Sequence, residues 1–200
     1  KGDLRRNEFN YVRKQAVYTR LTHRFNEQWR ITAGARHSRF GFSVDDQFIM
    51  PGDPDDSGQN ELSDNSGAVG LSWAFAPRWS TYVSFGSGFE TPTLTELAYR
   101  NNGSGLNTEL SPSQYRQTEW GLKFNSVGRF SSQLAMFDIQ SEDDIVIDQS
   151  NDGRTTYRNA GETERQGIEW QLNVQLTEQL DSFVSYSYID ANYQGGLYNG

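Results

Sequence analysis

Ile168-Glu169-Trp170-Gln171-Leu172-Asn173-Val174-Gln175-Leu176 carries an apolar side chain at every even number and a polar one at every odd number. Successive side chains of an extended chain point to opposite faces, so this run predicts a strand with one greasy face and one wet face. The pattern recurs elsewhere in the chain. Trp29, Ile31, Ala33 and Ala35 stand against Arg30, Thr32, Gly34 and Arg36, and Val69, Leu71, Trp73 and Phe75 against Gly70, Ser72 and Ala74. Trp79, Val83 and Phe85 oppose Ser80, Ser84 and Gly86, while Trp120, Leu122 and Phe124 oppose Glu119, Gly121 and Lys123. Stretches 12–24, 130–140 and 183–190 are strand-like with looser alternation. Eight candidate strands result, and no segment reads as a helix.

The connections sort by length. Short turns fall at 26–28, 76–78, 125–128 and 177–181, and long polar loops occupy 41–66, 88–114 and 141–164, with a fourth from Asn192. Short and long alternate throughout. A barrel crossing a membrane collects short turns on one side and long loops on the other, whereas a soluble sandwich has no reason to. Aromatic rings flank the short turns: Phe25 and Trp29, Phe75 and Trp79, Phe124 and Phe130, with Phe183 after the last. Rings favour the membrane–water interface, so this spacing predicts a girdle at the short-turn end. In the third long loop, Asp152-Gly153 supplies turn residues for a hairpin rising above the membrane.

Composition agrees. Hydrophobic residues make up 34% of the chain, low for a globular core, while aromatics reach 14%, too many for disorder. A net charge of −8 without a basic block argues against nucleic acid. There is no cysteine, which removes disulfides, thiolate metal sites and cysteine nucleophiles together. No run approaches the ~18 apolar residues of a membrane-spanning helix, a test that does not apply to barrel strands. His23 and His37 have no ligand-spaced partners and sit outside the long loops, and no Gly-x-Ser-x-Gly elbow is present. The carboxylates Asp45, Asp46, Asp53, Asp55 and Asp56 lack the order of a calcium loop and read as solvated. No catalytic or metal residue and no cofactor is expected, so the chain reads as a non-enzyme. Candidate ligand residues are Phe48, Met50, Tyr99, Arg100, Arg154, Tyr157 and Arg158, loop rings and guanidinium groups suited to an anionic chelate or quinone.

Two motifs remain. Gly88-Phe89-Glu90-Thr91-Pro92-Thr93-Leu94-Thr95-Glu96-Leu97 and Asn107-Thr108-Glu109-Leu110-Ser111-Pro112 together resemble a paired signature of TonB-dependent outer-membrane receptors. Tyr157-Arg158-Asn159-Ala160-Gly161 followed by Gly167-Ile168-Glu169 resembles a further signature of that family, and Ser185–Ala191 its usual next strand. The resemblance implies an antiparallel transmembrane β-barrel of about 22 strands around a plug, in the outer membrane of a Gram-negative bacterium. It implies capture of a scarce nutrient and release driven by TonB, which would engage a segment outside these residues. Residues 1–200 are then expected to be part of the barrel domain, with the plug and the other strands elsewhere. Within the family, Phe89–Thr93, Asp143–Val146 and Arg154–Gly161 look most like YncD-type receptors, linked to pyrroloquinoline quinone, and siderophore receptors stay open. Glu119, Lys123, Glu169 and Gln171 are expected to point into the barrel. A passive porin or structural barrel fits the strands but leaves the paired signature unexplained. An outer-membrane enzyme barrel would need acidic residues and histidines converging in the loops.

Overall fold

The computed structural model describes residues 6–51, 55–100, 103–126, 128–151 and 154–194. Ten strands form: β1 (Glu8–Arg24), β2 (Trp29–Asp46), β3 (Gly58–Ala76), β4 (Trp79–Glu90), β5 (Ser113–Ser126), β6 (Phe130–Glu142), β7 (Ile145–Asn151), β8 (Arg154–Asn159), β9 (Thr163–Thr177) and β10 (Leu180–Tyr193). Eight make one sheet in the order β1-β2-β3-β4-β5-β6-β9-β10, every neighbour antiparallel, and β7-β8 pair separately as the hairpin expected in the third long loop. The expected Asp152-Gly153 turn lies outside the described residues.

Register assigns the faces. Trp29 pairs with Trp73, Ile31 with Leu71 and Ala33 with Val69; Val83 pairs with Trp120, Trp120 with Met136, Met136 with Ile168, and Leu134 with Trp170. These rows form one continuous apolar face, the one left exposed. On the other face Tyr82 pairs with Gly121, Ser84 with Glu119, Lys123 with Gln133, Ala135 with Glu169 and Gln133 with Gln171, so all four expected inward polar residues share it. The loops fold over this second face, called inward here. Along β9 the apolar rows run from Ile168 to Leu176, roughly 30 Å of strand or roughly 23 Å when tilted ~40°, close to the apolar band of an outer-membrane barrel.

At the short-turn end the rings form a continuous chain. Trp29 stacks on Trp73 at 5.2 Å, Trp73 meets Phe75 at 5.5 Å and Phe75 meets Trp79 at 6.4 Å. Trp79 meets Phe124 at 4.7 Å and Phe124 meets Phe130 at 5.4 Å. Phe183 does not join them. It pairs with Asn173 on the inward face, because a register irregularity at Leu180/Asp181 shifts the start of β10.

Two further expectations need correction, and one ladder adds a feature of its own. Strands reach well beyond their apolar runs, so the first long loop shrinks from 41–66 to 47–57. The ladders continue upward, on β3 through mostly polar residues and on β2 with the apolar Phe40, Phe42 and Val44 on the inward face. A one-turn helix, α1 (Leu94–Leu97), interrupts the loop after β4. Its signal was Thr93-x-x-Glu96, a capping box too short to carry any periodicity. The β3–β4 ladder, finally, ends at Gly67–Ser87. Above it Phe89 meets the inward Phe40 edge-on at 6.1 Å, and Gln114 bonds the inward Asp64, so the top of β4–β5 leans over the inward face of β2–β3.

The inward wall repeats one cross-strand device. Tyr82 lies over Gly121, Tyr115 over Gly88 and Phe137 over Gly167, each ring filling the space a Cβ on the facing glycine would take. Gly121→Ala should therefore destabilise the folded protein by about 1–3 kcal/mol through overpacking, and adding Tyr82→Ala should recover part of the loss in a urea titration. Spin labels at 168, 170, 172, 174 and 176 in a bilayer should report lipid while those at 169, 171 and 173 report water. Water at the even positions would overturn the assignment of faces.

Candidate functional site

Three connections meet above the inward wall: 47–57, 91–112 and the segment 143–162 that contains the hairpin. A small apolar core gathers the second and third, and Asp56 ties the first to them through Gly105 and Arg154. Phe42 and Val44 of β2 are buried with Leu97 of α1 and with Leu106 and Leu110 of the same loop, and Phe40, Leu62, Leu94, Ile145 and Tyr157 pack around them. Leu97 is fully buried and Leu110 only 2% exposed. These leucines stand at the fixed positions of the paired signature, and their burial explains why apolar residues recur in a polar loop.

The ends of α1 are satisfied locally. Thr93 Oγ1 accepts from the Glu96 N–H at 3.3 Å, and the Glu96 carboxylate accepts from the Thr93 N–H at 2.7 Å. Leu97 O at the other end accepts from the Asn107 N–H at 2.7 Å. Gly105 turns the chain at φ +86, and its N–H donates to Asp56 at 3.1 Å. A Cβ there would sit 3.2 Å from Ser57 O, so glycine is required twice over.

The acidic residues of 47–57 are used internally. Asp46 accepts from the N–H groups of Phe48 and Asp56 at 2.9 and 3.2 Å, and Asp56 also faces Arg154 at 3.7 Å. Bonds from Ser57 hold the Asp55 carboxyl below its ordinary range. Asp53 lies outside the described residues. Among the described residues no group of three acidic, His or Cys side chains is set to hold a metal.

The seven candidate residues divide. Arg100, Tyr157 and Arg158 line one recess of about 250 Å³, together with Asn107, Glu109, Leu110 and Asn159. Arg158 is oriented by Asp148 at 3.0 Å, and Arg100 by Thr108 at 3.3 Å. Tyr99 and Arg154 belong to a second group, where the Tyr99 ring has Arg154 at 5.0 Å and Arg6 at 5.9 Å from its centre. Contacts of that kind add about 0.5–1 kcal/mol each at exposed sites. Phe48 and Met50 sit on 47–57 and line neither grouping; Met50 is half exposed. Chemically the recess offers two guanidinium groups, a phenol ring and an apolar floor at Leu110, suited to a flat or chelating anion.

In the sequence Asn107 and Asn159 stand out only as letters of the two patterns. The structure makes them part of the recess, each with its side-chain amide spanning two loops. Their membership in two separate signatures was the signal available in the sequence.

Residues 2–200 match the family model described as TonB dependent receptor-like, beta-barrel. The metal-pseudopaline receptor CntO of Pseudomonas aeruginosa is 28% identical over 169 residues, 84% of this chain and 22% of that protein. A TonB-dependent receptor of Haemophilus influenzae is 25% identical over 90% of this chain and 50% of that protein. The solved ferric yersiniabactin uptake receptor FyuA of Yersinia pestis superposes with a TM-score of 0.75 at 17% identity, over 94% of this chain and 28% of that one. The chain thus spans between about a fifth and a half of the curated relatives it matches.

If the loops depend on their apolar core, Leu97→Ala should cost about 2–5 kcal/mol of local stability. Hydrogen exchange should then rise together across 91–112 and the hairpin while the wall strands stay protected.

Proposed function

Because this chain belongs to the TonB-dependent receptor β-barrel family, we propose that it forms wall and loops of an outer-membrane import receptor whose cargo is an anionic metal chelate. On this reading the plug, the segment that engages TonB and the other wall strands belong to the rest of the protein. Capture happens at the loops and release is driven by TonB; no covalent chemistry is involved. The observation that carries the cargo class is the recess itself, where Arg100 and Arg158 share a lining with Tyr157, the buried Leu110 and one carboxylate, Glu109. Two planar guanidinium groups recognise carboxylate, catecholate or hydroxamate oxygens through paired donors, and the ring adds a stacking face. The names of CntO and FyuA, a metal-pseudopaline receptor and a ferric yersiniabactin receptor, point to metal chelates as well.

Pyrroloquinoline quinone, a planar polycarboxylate, would suit the same groups. The motifs that suggested it include Asp143 and Asn159, which bond to each other and serve loop architecture that any cargo would share. The chelate is therefore preferred. A passive barrel would have no use for a loop core packed over its own mouth.

The test uses the full-length receptor in outer-membrane vesicles, titrated by calorimetry with ferric citrate, a ferric tris-catecholate, a zinc aminocarboxylate metallophore and pyrroloquinoline quinone. Heat is the appropriate signal, because the five tryptophans within these 200 residues stand on outward rows of the wall, away from the loops. One metal chelate should bind below micromolar, and Arg100→Ala and Arg158→Ala should each weaken it about tenfold. Binding of the quinone alone would replace the cargo class. Binding of nothing would favour the passive barrel.

A further inference from the structure

Asn159 makes an unusual set of bonds. Its Oδ1 accepts from the Ser111 N–H at 2.9 Å, and its Nδ2 donates to Ser111 O at 2.9 Å and to Asp143 O at 2.8 Å. The side-chain amide thus pairs with the Ser111 backbone in both directions, as a facing peptide in an antiparallel ladder would. The third bond holds Asp143, which at φ 58 is the one non-glycine residue with positive φ among the described residues. Asn107 does the converse from the other loop. Its Nδ2 donates to Tyr157 O at 3.0 Å, its Oδ1 accepts from the Glu109 N–H at 3.2 Å, and it is 7% exposed. One amide reaches from 91–112 to β8, and the other reaches back from the end of β8 to 91–112. Both line the recess that contains Arg100 and Arg158.

We propose that Asn107 and Asn159 are positioning residues: a reciprocal clasp that holds 91–112 and 143–162 as one body and so fixes the spacing of Arg100 and Arg158. That they act on cargo rests on the function proposed above; that they join the loops does not. Each signature asparagine ties the partner loop's backbone to its own, Asn107 through Tyr157 and Glu109, Asn159 through Ser111 and Asp143. The clasp also decides what can move. Hairpin and helix loop travel together, and any rearrangement at the mouth must carry both or break three side-chain bonds.

The experiment uses the full-length receptor in a cysteine-free background, with spin labels at the exposed positions Thr95 and Gln149, one on each loop. Pulsed EPR should give one narrow distance in the parent and a broadened distribution in Asn159→Ala. Asn107→Asp, which is close in shape but loses the donor to Tyr157, is the second variant, and a heat-shifted gel band checks that each barrel is folded. In calorimetry with whichever probe binds the parent, both variants should bind about tenfold more weakly. Combining Asn159→Ala with Arg158→Ala should lose no more than the worse single change, since one acts through the other; a merely structural role would add. Narrow distances in both folded variants would overturn the clasp. Broadened distances with unchanged affinity, or additive losses, would overturn the positioning role. Should no probe bind the parent, the cargo proposal falls and the distances alone decide whether the loops are joined.

Discussion

In hydrocarbon a peptide N–H or C=O without a partner costs several kcal/mol, and no water is present to supply one. Everything in this wall follows from meeting that demand between strands. Pairing from β1 to β10 fixes register, and register fixes which side chains face lipid and which face the lumen, because a slip by one residue exchanges the two faces. The greasy rows of Ile31, Leu71, Val83, Trp120, Met136 and Trp170 are then a consequence of the ladder as much as a cause of it.

Above the apolar band the demand relaxes and the organising force changes. Water can satisfy the backbone there, so loops are held by what they bury. Leu97, Leu106 and Leu110 come from a loop and Phe42 and Val44 from the wall, and their shared core, with Ile145 and Tyr157 of the hairpin, joins two separate connections over the wall. Asn107 and Asn159 add direction to that core, which by itself would tolerate sliding.

The wall was legible in the sequence because period two over strands of this length is a strong and local signal. Ile168–Leu176 disclosed its strand almost unaided, and the tryptophans and phenylalanines beside the short turns marked one membrane edge. Phe183 misled because nearness to a turn in sequence says nothing about facing, and a register irregularity at Leu180 turned it inward. Strand ends escape a reading of outward apolar rows: at Gly58–Asp64 pairing continues through polar residues, and at Arg39–Asp46 the apolar side chains Phe40, Phe42 and Val44 change to the inward face. Of the candidate site, residue types were readable and proximity was not. Arg100 and Arg158 meet only because a buried leucine core folds one loop against the other, while Phe48 and Met50, chosen by the same chemical reasoning, lie elsewhere.

The rings reclining on glycines give the inner wall a texture. A tyrosine or phenylalanine standing upright would project its full length into the bore. Laid across Gly121, Gly88 and Gly167, the rings of Tyr82, Tyr115 and Phe137 present their faces, and the glycines beneath make room for them. At these crossings ring width stands in for side-chain length, and the polar side chains of the same face reach across it, as Lys123 does over the Tyr82 ring at 4.8 Å.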